Sequence, residues 1–261
     1  MLKGVFKAEK KDGTIYYRSN IVYKNKHISL GSYNTENEAH KAYTEAYDIL
    51  VLKKHNFENA FTSKKTLDFK RLVSLYNFRD NGMYIKTPIY LKDSYFSYYL
   101  DDKTELKFDI DDLFYFSSHT ILRRGSHLFV NDYGMQLTIL SRFGLKPYSV
   151  IGRDYEFNNG DIYDFRYSNI TIKNLYHGVI IQTTAEGEMY RSQIHINGYI
   201  KLGLFNTPEE AAICYNKAVD FLKENGKGRN YPTNYIIEMS PKVYADIYTR
   251  INLPELILLK S

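Results

Sequence analysis

The chain has 261 residues, 44% of them hydrophobic and 25% charged, with a net charge of +5. This is enough for one large domain or two to three small ones and is the composition of a soluble globular protein, not of a disordered one. No apolar run approaches the roughly 18–20 residues that cross a bilayer, the opening MLKGVFKAEKKDG lacks the apolar centre of a secretion signal, and the single cysteine, Cys214, excludes an internal disulfide framework and fits a reducing cytoplasm. The net charge permits nucleic-acid binding without demanding it. Its distribution is uneven. Residues 1–56 hold ten Lys/Arg against six Asp/Glu, and residues 92–112 hold seven Asp/Glu against three Lys.

The first segment, 1–58, reads as three strands and a helix. In YYRSNIV (16–22), Tyr17, Ser19 and Ile21 share one face and Arg18, Asn20 and Val22 the other. Turn residues Lys11-Asp12-Gly13 and Lys24-Asn25 bound the strand. After LGSYNT (30–35), Thr35 and Glu38 form a capping box, and Ala39, Ala42, Tyr43 and Ala46 recur at helical spacing.

Residues 59–108 are rich in Tyr, Phe and Asp without a clear period, and read as either a linker or a small subdomain. DIDDLFYFSS (109–118) predicts an acidic turn and a short aromatic helix. HLFVNDYGMQLTIL (127–140) alternates like a hairpin, and RDYEFNNGDIYDFRYSNITI (153–172) follows.

From 176 to 232 the first segment returns. KGVF (3–6) becomes HGVI (177–180), YYRSNI becomes MYRSQI (189–194), and LGSYNT becomes LGLFNT (202–207). Spacing varies only at the two hairpins, marked here by Glu186-Gly187 and Asn197-Gly198, the second a strong hairpin signal. Thr207-Pro208-Glu209-Glu210 predicts a second capping box, with Pro at the first helical position, and starts a helix containing Cys214, a small packed residue on this reading. The tail, 233–261, predicts a helix capped by Ser240 and started by Pro241, interrupted at Pro254.

Each repeat thus predicts a three-stranded antiparallel sheet with a helix on one face. The uncovered face carries Arg18, Asn20, His27 and Ser29 in the first copy, and Arg191, Gln193, His195 and Lys201 in the second. Both segments resemble the DNA-binding domain of the plant ethylene-response factors (the APETALA-two fold) and its bacteriophage relatives. The residues that carry the resemblance are the Gly-Val start, the aromatic-Arg-small-polar-Ile strand, the Leu-Gly, the Thr-x-x-Glu cap and the Ala/Tyr helix. The resemblance implies docking of the sheet in the major groove, with Lys3, Arg18, Asn20, His27, Ser29, His177, Gln182, Arg191, Gln193, His195 and Lys201 as contact candidates. Tyr17 and Tyr190 stand where the family has tryptophan, and Phe6, Ala8 and Ile180 where its plant members have arginines.

Gly160, Asp164, Arg166, Ser168, Asn169 and Ile170 resemble the end of HNH endonucleases of the phage homing type. That chemistry needs a histidine base and a divalent metal at the scissile phosphate. Phe157 stands at the base position, behind Glu156, and Phe165 at a metal-side Asn. The expected architecture is therefore α+β, two ethylene-response-factor-like modules flanking a degenerate HNH-like ββα domain (109–175). That domain would offer Arg142, Arg153 and Arg166 to the DNA backbone.

The resemblance implies a sequence-preferring double-stranded DNA-binding protein of phage or mobile-element origin. It would act in the cytoplasm of a bacterial host, in regulation or against host defence, with no cofactor. Two alternatives stay open. One is an active metal-dependent nickase using His119 or His127 with Asp154, Glu156 or Asp161 and a divalent ion such as Mg²⁺. The other is an inhibitor that binds a host protein, which the acidic 92–112 stretch keeps in view. The first module, holding more basic residues, is expected to carry more of the salt dependence of binding.

Overall fold

A computed structural model describes residues 1–59, 65–185, 187–226 and 231–259. The expected turn residue Glu186 lies outside them, as do the ends of the linker, second-module and tail segments that fall on 60–64, 227–230 and 260–261. The fold is α+β, built from small antiparallel sheets and helices. The chain divides into two compact units, Met1–Ile139 with Asp161–Asn169, and Leu140–Gly160 with Ile170–Ser261. Both cut into the 109–175 segment, so that stretch does not cluster as one body.

The first unit opens with β1 (Val5–Glu9), β2 (Ile15–Tyr23) and β3 (Lys26–Tyr33) in the order β1-β2-β3, followed by α1 (Glu36–Leu50). Lys24 and Asn25 both take positive φ (44° and 59°), as a two-residue turn matched to strand twist requires. The Thr35 hydroxyl accepts from the Glu38 amide at 3.2 Å, and the Glu38 carboxylate accepts from the Thr35 amide at 3.3 Å, so the capping box is complete. Ala39, Ala42 and Ala46 are wholly buried. Side chains this small let α1 lie close across β2 and β3.

Residues 65–109 are a folded subdomain and no linker. They form α2 (Phe69–Asn81) and the sheet β4 (Ile89–Leu91), β5 (Tyr95–Tyr99), β6 (Glu105–Asp109). Asp68 caps α2, and Gly82 closes it in the left-handed conformation. The apolar face of α2 completes the core of the first module. Ile21, Ile28, Leu30, Ala42 and Ile49 form one buried cluster with Leu72, Val73, Leu75 and Tyr76. The sheet β4–β6 packs on α3 (Leu113–Ser118) through Phe108, whose ring lies tilted 4.4 Å from Phe116 and stacks 5.5 Å from Phe96 on the neighbouring strand. β7 (Leu122–Arg124), β8 (His127–Asp132) and β9 (Met135–Thr138) form the expected hairpin with one extra strand.

Part of the acidic stretch is held by internal contacts. Asp101 pairs with Arg123 at 3.4 Å, Asp109 accepts from the Tyr167 amide at 2.6 Å, and Asp112 is buried. Glu105 accepts from the Ser97 hydroxyl at 2.5 Å. Asp93, Asp102 and Asp111 stay exposed.

In the second unit, β10 (Tyr155–Phe157) pairs with β11 (Ile170–Ile172). The chain then runs through described residues straight into β12 (Val179–Thr184), and the helix expected of a ββα unit does not follow β11. β12, β13 (Gly187–His195) and β14 (Tyr199–Phe205) repeat the first sheet, and α4 (Pro208–Glu224) repeats its helix. Here only the forward half of the capping box is made: the Thr207 hydroxyl accepts from the Glu210 amide at 3.2 Å. The tail docks on this module. α5 (Pro241–Arg250) starts at its Ser240 cap, the Tyr248 hydroxyl donates to Asp220 at 3.1 Å, and Lys217 donates to the Tyr248 and Ile251 carbonyls at 2.7 Å each. After Pro254, α6 (Glu255–Leu259) buries Ile257 in the same core as Leu222.

Candidate functional site

The repeated glycines and the aromatic rings that cover them are scaffold. A Cβ on Gly4 would lie 2.0 Å from the Tyr43 ring, and one on Gly178 would lie 2.0 Å from the Tyr215 ring. Each module thus locks its entry glycine beneath a helix tyrosine, which explains why both residues recur. Beyond Leu30 and Leu202, Gly31 and Gly203 lie beneath the rings of Tyr33 and Phe205. At the same point both sheets carry a β-bulge, between Ser19 and Asn20 on β2 and between Ser192 and Gln193 on β13. The bulge puts one extra residue in the third strand, so Leu30 and Gly31 both face the helix side and the strand resumes one step out of phase.

The other face of each sheet is uncovered by its helix and shows the chemistry. In the first module one cross-strand row is Phe6–Arg18–Ser32, followed by Asn20 opposite Ser29 and Val22 opposite His27. In the second the matching rows are Ile180–Arg191–Leu204, Gln193 opposite Lys201, and His195 opposite Tyr199. The arginine and the amide hold the same register in both. Strict alternation from His27 and Ser29, or from Lys201, misses Ser32 and Leu204, because the bulge is what turns them outward.

The Arg18 guanidinium donates from Nε and Nη2 to the Tyr16 hydroxyl at 3.1 and 2.6 Å and lies 5.4 Å from that ring. The Arg191 Nε is buried without a hydrogen-bond partner. Tyr199, 75% exposed, meets His195 edge to face at 4.9 Å. Gln182 faces the same way, opposite Met189.

Two candidates lie elsewhere. The Lys3 ammonium sits over Tyr43 and Tyr47 of α1, at 6.0 and 5.5 Å, on the helix side of the module. His177 is half-buried, with Nδ1 against the Tyr148 hydroxyl and its backbone bonded both ways to Asn234, at 2.5 and 3.0 Å. Burial, and then Lys146, lower its pKa. Lys146 is itself pushed down to about 8 by burial and donates to the Tyr176 carbonyl.

The segment Lys146–Asp154 borders the second face, where Arg153 and Tyr148 share a cavity of about 350 Å³ with Gln193, His195 and Tyr199. Arg153 is held by Asp154 at 2.6 Å, and Arg166 by Asp164 at 2.6 Å, with the Arg166 guanidinium over the Tyr95 ring. Arg142 lies in the turn Ile139–Phe143.

The residues of the HNH-like frame hold their own loop together. Asn169 donates to the Asp164 carbonyl at 2.9 Å, and its amide donates to Arg166 at the same distance. Phe165 is 5% exposed and stacks on Phe108 at 5.6 Å; Phe157 is 9% exposed. Phenylalanine can neither bind a divalent ion nor accept a proton, so Phe157 and Phe165 do not fit the metal-dependent chemistry that the resemblance would imply.

The other acid–base candidates do not converge, and most have structural partners of their own. His119 stacks on Tyr115 at 4.3 Å and meets Asp132 at 3.4 Å. His127 is exposed on β8. Asp154 accepts from the Val150 amide, Arg153 and Asn174, Glu156 pairs with Lys173 at 2.5 Å, and Asp161 pairs with Lys107 at 2.9 Å. Among the described residues no three His, Cys, Asp or Glu side chains form a group able to hold a metal, and no helix is long and apolar enough to cross a membrane. Cys214 is wholly buried, and burial pushes its thiol up to about 11, which makes it unreactive at neutral pH. No protein-family model, curated protein or solved structure matches the chain.

Proposed function

We propose that the protein binds double-stranded DNA with sequence preference through the uncovered faces of its two sheets, and does not cleave it. The observation that carries this reading is the recurrence of one arginine and one amide at equal register on both faces, Arg18 with Asn20 and Arg191 with Gln193. A β-sheet surface fits the width of the major groove, where arginine pairs with guanine and Asn or Gln with adenine. The resemblance to ethylene-response-factor domains supports the same docking mode. The buried phenylalanines at the HNH positions support binding without catalysis. A role in gene regulation or against host defence in a bacterial cell goes with the phage-type resemblance.

The test is duplex binding by the full chain over a salt series, with Arg18→Ala, Arg191→Ala and the double variant. Each single variant should retain binding through the other module, and the double variant should lose far more, because tethering multiplies affinity by about 10²–10⁴. Unchanged affinity in the double variant would move the reading to a protein partner. A divalent-metal-dependent nick in supercoiled plasmid, lost in His119→Ala or His127→Ala, would move it to the nickase.

A further inference from the structure

We infer that the two faces recognise unlike half-sites, so the preferred target is an asymmetric duplex, not a repeated or palindromic one. This rests on the DNA-binding reading above.

The scaffold residues match between the copies, but the outward residues around the shared arginine and amide do not. Ala8 opposite Tyr16 in the first module becomes Gln182 opposite Met189. Asn20 opposite Ser29 becomes Gln193 opposite Lys201, and Val22 opposite His27 becomes His195 opposite Tyr199. Ser32 becomes Leu204 beside the arginine.

These are changes in recognition chemistry. The first face has one fixed cation, short hydroxyls and exposed apolar groups, with Phe6 50% and Val22 64% exposed, suited to thymine methyls and a single guanine. The second face has two cations, Arg191 and Lys201, and two long amides, Gln182 and Gln193, which suit guanine and adenine edges and adjoining phosphates.

The arginines themselves are also held differently. The Tyr16 hydroxyl fixes Arg18, leaving donors at its Nη1/Nη2 end for a base. In the second module Met189 takes the place of Tyr16, and Arg191 lies between its cross-strand neighbours Ile180 and Leu204. Tyr16 is therefore a positioning residue for the first half-site alone.

The experiment is selection of bound duplexes from a random pool by the full chain. The wild type should enrich two unlike motifs. A face-converted chain (Ile180→Phe, Gln182→Ala, Met189→Tyr, Gln193→Asn, His195→Val, Tyr199→His, Lys201→Ser, Leu204→Ser) should enrich the first motif in place of the second. Tyr16→Phe, a change of one exposed hydroxyl, should lower the preference for one base in one motif by about 2- to 10-fold and leave the other motif untouched. One motif enriched twice by the wild type, or loss of preference in both motifs on Tyr16→Phe, overturns the inference. So does duplex retention without any enriched motif, which leaves DNA binding standing as a charge effect. Failure of the wild type to retain duplex even at low salt removes the DNA-binding reading and this one with it.

Discussion

Gly4 has a φ of +77°, and a Cβ there would overlap the Tyr43 ring. Two separable costs follow. The left-handed conformation costs a non-glycine residue about 1–2 kcal/mol, and the overlap adds to it. Gly4→Ala should therefore destabilise the first unit by more than that conformational cost. Adding Tyr43→Ala should remove the clash but not the backbone cost, so the double variant should be less destabilised than the two singles sum to. Urea denaturation followed by circular dichroism reads the difference.

His177 supports a second residue-scale prediction. Its pKa is lowered by burial and by Lys146, so the unfolded chain binds the proton more tightly. The contribution to stability is then complete above the ordinary histidine range, near 6.5, and is lost as pH falls below it. The thermal midpoint should drop between pH 7 and 5, and His177→Gln should flatten part of that slope. An unchanged slope would show that the ring is solvated.

At the scale of elements, the two helices that look alike in sequence are capped unequally. Thr35 makes both arms of its box and Thr207 one. Thr35→Ala should cost about 0.5–2 kcal/mol and at least as much as Thr207→Ala, and Thr35→Ser should recover most of the loss. Guanidinium titrations of the full-length variants measure this.

The segment 1–58, which in sequence has every part of a small domain, lacks part of its core. Leu72, Val73, Leu75 and Tyr76 of α2 complete it. A 1–58 fragment should show little cooperative unfolding, and Leu75→Ala in the whole chain should cost about 2–5 kcal/mol. A fragment that melts sharply at the temperature of the parent would contradict the shared core.

At the scale of the molecule, total charge and charge on the uncovered faces diverge. Residues 1–56 hold ten basic side chains, yet Lys3 lies over α1, Lys24 lies 5.5 Å from the Tyr23 ring, and Lys26 lies 5.8 Å from Tyr84. On the uncovered faces the first module shows Arg18 with His27, and the second shows Arg191 and Lys201 with His195. On the DNA-binding reading, the second module carries more of the salt dependence, the reverse of what the sequence totals suggest. Lys201→Ala should lower the slope of log K against log salt by about one phosphate's worth, roughly 0.9, and Lys3→Ala should leave it unchanged. Equal effects from the two would mean that the open faces are not the charged contact surface.

By itself the sequence determined the two modules, their strand faces, both helix caps, the hairpin at 127–138 and the tail helix from Pro241. Each of these is written locally, in a period of two, in a turn pair such as Asn197-Gly198, or in a hydroxyl three residues before a glutamate. Only the tertiary structure decided what those elements meet. Residues 65–109 carry no clean period over most of their length because α2 buries every residue from Leu72 to Phe78 and β5 buries Phe96, Ser97 and Tyr98 in succession, while β6 alternates over only five residues. The bulges that expose Ser32 and Leu204 depend on pairing with a neighbouring strand, and no single strand records its register. The fate of Phe157 and Phe165 followed the same rule. Their type is read from the sequence, and only the tertiary structure shows that both are buried, Phe165 against Phe108 and Phe157 against Tyr155.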